Sequence, residues 1–326
     1  MLRRIGALMG ITAGSLGLAL LAFGTGPTPL GGASSAATPA VAGTGGPDLT
    51  ALPLGDGKVT SSGPRRGYVY SCQESFGGPA AAEVPWIRNS SYDLTAKYTV
   101  DGAVNWPGAR FNKKLARKLL KLSGNGLPTN HPTGAFPVAA SDDAYAVDAN
   151  PNSISAQSVA LKLSGRPRRL KRAQCTPTGQ VGIMRNGVAI FNALDAGGKD
   201  AVAHEVQDSC SGHPQQSGVY HYHGLPACIG SGGAGKHSKR IGWALDGYPI
   251  HGPLGSEGEY MRTSDLDACH GHAHKIRYQG RVRKLFHYHA TEIYPYVISC
   301  FRAEPVTLDS SGRGAQQPPP ARALPG

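Results

Sequence analysis

The sequence lacks the motifs of several common enzyme classes. His204-Glu205 is not followed by a histidine at position 208, so the His-Glu-x-x-His motif of zinc proteases is absent. There is also no Gly-x-Ser-x-Gly nucleophile motif and no Gly-x-x-x-x-Gly-Lys-Ser/Thr phosphate-binding loop. These absences argue against zincin proteases, serine hydrolases of that type and P-loop nucleotide-binding enzymes.

Long apolar runs are confined to the N-terminus. Basic residues precede an apolar run over 5–23, and small residues follow it, including Ala40-Val41-Ala42. This order of charge, apolar core and Ala-x-Ala predicts a secretory signal peptide over 1–42. An uncleaved N-terminal membrane anchor is the alternative, because the run is nearly long enough to span a bilayer. We therefore expect an exported protein, either extracellular or in the cell envelope.

Glycine and proline limit the length of regular elements in the rest of the chain. The 326 residues include 45 Gly and 25 Pro, which interrupt helices and strands. We expect a turn-rich domain over 64–306 that is mainly β with minor helix, after a flexible linker over 43–63 and before a disordered tail over 307–326. Strands are predicted at 68–70, 98–100, 159–163 and 188–191. The leucine spacing predicts a helix over 111–122, although a Lys/Arg-rich hairpin can mimic that pattern.

The net charge of +12 raises the question of an anionic partner. Neither of the two basic runs has interleaved aromatic residues, and no zinc-finger or RNA-binding motif is present, so no nucleic-acid partner is expected. A solvated basic face is the simplest interpretation, and contact with an anionic envelope polymer or a membrane surface is the alternative. The runs contain Lys113, Lys114, Arg117, Lys118 and Lys121, and then Arg166, Arg168, Arg169, Lys171 and Arg172.

One pattern occurs twice, with an offset of about 60 residues. Its elements are Asn/Asp-Gly followed by Ile190 or Ile250, then Asp-x-Cys-x-Gly-His, then an aromatic-His-Tyr-His segment. The ordered recurrence predicts an internal duplication with two related halves, about 181–230 and 241–303. The matching segments are 186–190 and 246–250, 208–213 and 267–272, and 220–223 and 286–289.

The six cysteines have an even count, which in an oxidising compartment favours disulfides. Sequence alone allows 15 pairings. Each repeat has one cysteine in its Asp-x-Cys-x-Gly-His unit and one after its His-Tyr-His segment, so the duplication predicts Cys210–Cys228 and Cys269–Cys300 and leaves Cys72–Cys175. Ligation of a metal by cysteine is the alternative, although no Cys-x-x-Cys motif is present.

The paired histidines are the candidate chemical groups. In a strand, residues i and i+2 point to the same face, so each His-x-His can present two imidazoles to one ion while the intervening tyrosines pack on the other face. Imidazole ligands suit a divalent transition metal, with zinc or copper as the candidates. The alternative is a network of hydrogen bonds without an ion. The predicted ligands are His221, His223, His287, His289, His272 and His204, and the predicted supporting or additional groups are Asp195, Asp208, Asp246, Asp267, Tyr222 and Tyr288.

These motifs together resemble the YHYH family of exported bacterial proteins. The resemblance rests on segments 191–208, 242–250, 266–272 and 287–291 as well as on Tyr220-His-Tyr-His223, and it covers roughly 70 to 303. The second copy departs from the naming motif because Phe286 replaces the first tyrosine, which removes one phenol and keeps both imidazoles. The resemblance implies no specific activity.

The sequence leaves three classes of function open. The leading hypothesis is an exported metal-binding protein that handles metal in the envelope, with either one shared site or one site in each half. A metal-dependent enzyme is the second class, since an open coordination position would support hydrolysis or oxidation. A disulfide-stabilised binding module with structural histidines is the third.

Overall fold

The computed structural model describes residues 45–78, 83–233, 235–309 and 313–315. The predicted signal peptide over 1–42 lies outside these residues, as does most of the predicted tail. The described residues belong to one compact unit. Among the described residues, no helix has the length and apolar character that crossing a membrane requires.

The described residues are mainly β-structure, as the sequence predicts. They contain one α-helix, α1 (Ala201–His204), and two 3-10 helices at Asp143–Ala146 and Thr263–Asp265. The four predicted strands are confirmed as β3, β6, β9 and β11. The strands are β1 (Leu52–Pro53), β2 (Val59–Thr60), β3 (Val69–Tyr70), β4 (Ile87–Arg88), β5 (Ser91–Tyr92), β6 (Thr99–Val100), β7 (Phe111–Ala116), β8 (Leu119–Gly124), β9 (Val159–Ser164), β10 (Gln180–Met184), β11 (Ala189–Phe191), β12 (Gln207–Asp208), β13 (Gly212–Pro214), β14 (Tyr220–Tyr222), β15 (Arg240–Ala244), β16 (Pro249–His251), β17 (Gly271–Tyr278), β18 (Arg281–His289), β19 (Thr307–Leu308) and β20 (Arg313–Ala315).

An eight-stranded sheet carries the histidine segments. Its order is β13-β14-β11-β10-β15-β16-β18-β17, and the central neighbours β10 and β15 are antiparallel. On each side of that centre, an inner antiparallel pair is joined by a parallel contact to an outer antiparallel pair. The parallel contacts also agree in register, since Ile190 lies opposite Tyr222 and Ile250 lies opposite Tyr288. The internal duplication itself stays a prediction.

The tyrosines of the repeated segments anchor their strands in the main hydrophobic core. Tyr220, Tyr222 and Tyr288 are almost completely buried there with Phe286 and apolar side chains from the centre of the sheet. The alternation of a strand sends the intervening histidines to the opposite face. That face is buried too, because His221, His223, His287 and His289 are each less than a tenth exposed. The sheet therefore buries imidazoles as well as phenols.

The predicted helix over 111–122 is wrong, because this segment forms the hairpin β7–β8. Arg117 adopts a positive φ of 55° at the turn. The buried leucines, Leu120 and Leu122, are two residues apart, which is the period of a strand. Leu115, which would have been on the helical stripe, is 46% exposed. The Lys/Arg-rich hairpin that the sequence left as an alternative is the observed structure.

The segment expected to be a flexible linker over 43–63 also differs from that expectation in its described part. Leu52 is 1% exposed and belongs to a second core cluster with Trp86 and Tyr92. Strand β1 pairs with β5, and β2 pairs with β3. A few apolar contacts and strand pairs thus order a segment whose composition alone predicts flexibility. Similarly, β19 and β20 lie within the predicted tail and pair with each other, and β20 pairs with β9.

The three predicted disulfides are present. Cys210 is bonded to Cys228, Cys269 to Cys300 and Cys72 to Cys175. No free cysteine is found in the described residues. This removes cysteine thiolates from the set of metal ligands, including those of Cys210 and Cys228 near His131.

The helix predicted over 111–122 and the observed β7–β8 hairpin imply different effects of leucine substitutions. Leu120 is 5% exposed and Leu119 is 36% exposed. Leu120→Ala should lower the free energy of unfolding by about 2–5 kcal/mol because it leaves a cavity in the core, whereas Leu119→Ala should change it by less than about 1 kcal/mol. Urea unfolding of the disulfide-intact proteins measures both changes. A larger loss for Leu119→Ala than for Leu120→Ala would contradict the hairpin.

Candidate metal centres

The first histidine cluster consists of His213, His221 and His223, together with Glu205. His213 lies in β13 directly opposite His221 in β14, and His223 follows β14. Potential ligand atoms of the three histidines all lie within 4.8 Å of one another. Nε2 of His221 is 3.0 Å from Nε2 of His223. The cross-strand pair and the i, i+2 spacing on one strand thus bring three imidazoles together.

Backbone carbonyl groups determine which nitrogen of these histidines is free. Nδ1 of His221 donates to the carbonyl oxygen of Val219 at 3.0 Å, and Nδ1 of His223 donates to that of Asn192 at 2.5 Å. A neutral imidazole has one N–H, so both Nε2 atoms carry lone pairs. These lone pairs face each other at 3.0 Å. Such an arrangement is repulsive unless a cation lies between the two atoms.

Glu205 adds a carboxyl group to the first cluster. Its Oε2 lies 3.4 Å from Nε2 of His213 and 3.3 Å from Nε2 of His223. This oxygen is buried and makes no hydrogen bond, and neither ring nitrogen of His213 makes one. Buried polar atoms without a partner are rare and call for an explanation such as an ion. Burial, followed by repulsion from Asp195, raises the pKa of Glu205 well above its ordinary value.

A cavity adjoins the first cluster. It has a volume of about 370 Å³, and its wall includes Glu205 and all three histidines of the cluster. Phe191 forms another part of the wall and stacks on the ring of His221 with centroids 3.9 Å apart. A metal ion held by the histidines would therefore have space for an exchangeable ligand such as water or a small molecule.

The second histidine cluster consists of His237, His272, His287 and His289. His272 in β17 lies opposite His287 in β18, and His289 ends β18. His237 comes from the loop before β15. Nε2 of His287 lies 3.1 Å from Nε2 of both His237 and His272, and Nε2 of His289 lies 3.0 Å from Nε2 of His272. Four imidazole nitrogens therefore converge on one point.

The second cluster uses the same arrangement of carbonyl groups. Nδ1 of His237, His287 and His289 donates to the carbonyl oxygens of Ser238, Leu285 and Gly252, at 2.8, 3.1 and 2.6 Å respectively. Their Nε2 lone pairs therefore point into the cluster. Metal-bound histidines in proteins usually donate their other N–H to such a group. In a tetrahedral zinc site with Zn–N bonds of about 2.0–2.1 Å, ligand nitrogens are about 3.3 Å apart, close to the observed separations.

Burial keeps these imidazoles neutral. It lowers the pKa of His223 and of His272 to about 4, and it lowers the pKa of His213, His221 and His289 well below the ordinary value. Neighbouring histidines add to the effect at His213, His221 and His289. A shared proton is therefore a poor substitute for a metal ion between the facing lone pairs. Neutral imidazole is also the form that binds metal.

The structure brings five of the six predicted ligands into these clusters. His221 and His223 lie in the first cluster, and His272, His287 and His289 lie in the second. His204 lies in neither, because its Nε2 is 2.9 Å from Oδ2 of Asp56. The predicted pair His221 and His223 and the predicted pair His287 and His289 do not share one site.

The predicted aspartates and tyrosines hold the strands and turns around the histidine clusters. Asp208 accepts hydrogen bonds from the Tyr220 hydroxyl and from the backbone N–H groups of Gly134, Cys210 and Gly212. The hydroxyl of Tyr288 donates to Asp246 at 2.7 Å. The remaining members are held similarly: Tyr222 contacts Asn186 and His131, Asp267 contacts Arg302, and Asp195, which lines the cavity, accepts the backbone N–H of Lys199.

Three cluster members were not among the predicted ligands. In the sequence, Glu205 stands out only as part of an absent protease motif, His213 ends an Asp-x-Cys-x-Gly-His segment, and His237 lies in a Gly/Ser-rich loop. For His213 a signal was available, since it occupies the same place in its repeat as His272. For His237 no such signal exists, because the position 60 residues earlier is Pro177. Glu205 has an acidic counterpart, Asp265, at an offset of 60 residues.

One protein-family model matches part of the chain. Residues 161–259 match the family model described as YHYH protein. The chain therefore carries a YHYH domain, as the sequence resemblance predicted. The matched segment contains the whole first cluster and His237, whereas the other three histidines of the second cluster lie beyond it. No curated protein and no solved structure matches the chain.

Asp246, which accepts a hydrogen bond from the Tyr288 hydroxyl, provides a test of how burial affects the titration of a group in this sheet. Burial raises the pKa of Asp246 from 3.8 to about 6. The folded protein thus holds this proton more tightly than the unfolded chain, so stability should fall as the pH rises from about 4 to about 6 and stay level above it. Relative to Asp246→Asn, which does not titrate, the parent should lose about 2–3 kcal/mol of unfolding free energy between pH 4 and pH 7.

Urea unfolding of both metal-free proteins at the two pH values measures this difference. Comparing parent with variant cancels the titration of every other group. A stability difference between the two proteins that is the same at both pH values would contradict the account of Asp246.

Proposed function

We propose that this chain is an exported metal-binding protein that holds one transition-metal ion in each histidine cluster. The observation that carries the proposal is the convergence of Nε2 atoms 3.0–3.1 Å apart. Five of these imidazoles donate from Nδ1 to a backbone carbonyl group, namely those of His221, His223, His237, His287 and His289. This arrangement supports an ion more strongly than a network of hydrogen bonds. A hydrogen bond between two imidazoles needs one Nε2–H, and the carbonyl groups hold the proton on the other nitrogen.

The two proposed sites differ in a way that suggests different roles. The first combines three histidines with a carboxylate and adjoins a cavity of about 370 Å³, which favours a metal with an exchangeable ligand. The second offers four histidines, which is the ligand number of a closed structural zinc site. Binding or chemistry is therefore proposed for the first site, and stabilisation of the β17–β18 hairpin for the second.

The ligand types narrow the choice of metal. Imidazole nitrogens suit zinc, copper, nickel and iron, and a tetrahedral set of four favours zinc. The negative charge of Glu205 would partly neutralise a divalent ion in the buried first site, which lowers the cost of placing that ion there. Zinc or copper is proposed for the first site, and zinc for the second.

Export is part of the proposal. The three disulfides and the YHYH domain are in keeping with an extracellular or exported protein, because structural disulfides persist in oxidising compartments. The N-terminal segment predicted as a signal peptide or anchor is consistent with this location. The protein would then bind its metal outside the cytoplasm, where cytosolic thiols do not compete for the ion.

Metal content measured cluster by cluster tests the proposal. The full chain, purified without chelator and analysed by elemental mass spectrometry, should hold two metal ions per chain. His221→Gln with His223→Gln should remove one ion, and His287→Gln with His289→Gln should remove the other, because each pair supplies two ligands to its site. His204→Gln is the matched control, a buried histidine outside both clusters that should leave the metal content unchanged.

Circular dichroism and intact disulfides would show that each variant is folded. Parental metal content in both double variants would contradict the assignment of the ligands. A parent chain that holds no metal, even after incubation with zinc and with copper, would favour the binding module with structural histidines.

A further inference from the structure

Two basic hairpins meet at one edge of the molecule. We call residues 111–124 (β7–β8) and 275–285 (the outer part of β17–β18) the twin-hairpin surface. Gly165 joins the two turns: its N–H donates to the carbonyl oxygen of Lys118 at 2.7 Å, and its own carbonyl oxygen accepts from Nε2 of Gln279 at 2.7 Å. The turns are therefore held side by side. About 23 Å of strand separates Gln279 from His272 of the second cluster.

The twin-hairpin surface has positive charge only. Each hairpin segment contributes five Lys or Arg residues, and neither contains Asp or Glu. Among the described residues, none of these ten forms an ion pair. All are exposed except Arg283, which is half-buried. The ten are Lys113, Lys114, Arg117, Lys118, Lys121, Lys275, Arg277, Arg281, Arg283 and Lys284.

The charges are placed where they work against folding. Lys114 lies directly opposite Lys121 in β7–β8, and Lys275 lies directly opposite Lys284 in β17–β18. Like charges at opposed positions of antiparallel strands destabilise the pair. An anionic partner would relieve this repulsion, which a surface without a partner would have to tolerate.

Exposed apolar side chains accompany these charges at the hairpin turns. Leu115 and Leu119 flank the β7–β8 turn and are 46% and 36% exposed, and Val282 near the β17–β18 turn is 65% exposed. Val282 is the most exposed large hydrophobic residue in the described part of the chain. Apolar groups at projecting turns, surrounded by Lys and Arg, suit a surface that is anionic outside and apolar beneath.

We infer that the twin-hairpin surface docks on an anionic phospholipid bilayer. Its Lys and Arg side chains would contact lipid phosphates while Leu115, Leu119 and Val282 enter the headgroup region. A soluble polyanion would use the charges but would give the apolar turns no favourable environment. A nucleic acid would favour exposed aromatic rings for stacking, and the nearby Trp243 is only 3% exposed beneath Lys113 and Arg240.

Vesicle cosedimentation of the full chain tests the docking. Binding to vesicles with equimolar phosphatidylglycerol and phosphatidylcholine should be at least about tenfold tighter than to pure phosphatidylcholine at about 0.1 M salt, and should weaken as salt shortens the screening length. Lys114→Glu with Arg281→Glu should reduce anionic-vesicle binding about tenfold or more. Leu115→Ser with Val282→Ser should reduce it severalfold. Arg88→Glu and Val104→Ser, at exposed positions outside the surface, should have no effect.

A local readout separates this surface from the predicted N-terminal apolar segment, which would add lipid affinity to every variant. Brominated phosphatidylglycerol should quench the added fluorescence of Val282→Trp and leave that of Val104→Trp unchanged. Equal binding to anionic and neutral vesicles, or no quenching of Val282→Trp, would overturn the inference. A third result would also overturn the lipid proposal: only the charge variant loses binding, and the parent binds polyphosphate as well as it binds anionic vesicles. That result would assign the surface to a soluble anionic polymer.

Discussion

The hydrogen bonds between histidine Nδ1 atoms and backbone carbonyl groups are the interaction on which the account depends. They place the single imidazole proton on the side away from each cluster, so that Nε2 lone pairs meet at about 3 Å. Without these contacts the histidines could alternate as donors and acceptors, and no ion would be needed. With them, a cation that accepts the lone pairs would relieve the repulsion between the facing Nε2 atoms, because burial also disfavours protonation of the rings.

The pairing of the strands and the disulfides position the imidazoles in the two clusters. Each cluster takes two histidines from one His-x-His segment and a third from the antiparallel neighbour, directly opposite the first. That third histidine follows a disulfide-bonded cysteine by three residues, since Cys210 precedes His213 and Cys269 precedes His272. The buried tyrosines on the other face lock the strands to the core, so the histidine face cannot turn outward without exposing aromatic surface.

Local patterns predicted much of the candidate site, and tertiary contacts determined the rest. The His-x-His spacing was sufficient for His221, His223, His287 and His289, because alternation along a strand is a local property. Glu205 and His237 come from loops whose positions depend on contacts distant in the sequence, such as that between Nε2 of His237 and Nε2 of His287. The fold shows the same division. The strand pattern and the disulfide pairing could be predicted from the sequence. The choice between helix and hairpin for 111–122 could not, because the two structures differ only in which leucines contact the core. Glu205 and His237 also make the two clusters unlike each other, an open carboxylate-bearing site and an all-histidine one.

Anomalous diffraction at the edge of the metal, from crystals of the full chain grown without chelator, tests the central claim most directly. The account predicts two anomalous peaks. One would lie among Nε2 of His213, His221 and His223 and Oε2 of Glu205, and the other among Nε2 of His237, His272, His287 and His289. Histidine clusters without an anomalous peak in protein that has been incubated with zinc and copper, with Nδ1 still donating to the carbonyl groups, would contradict it.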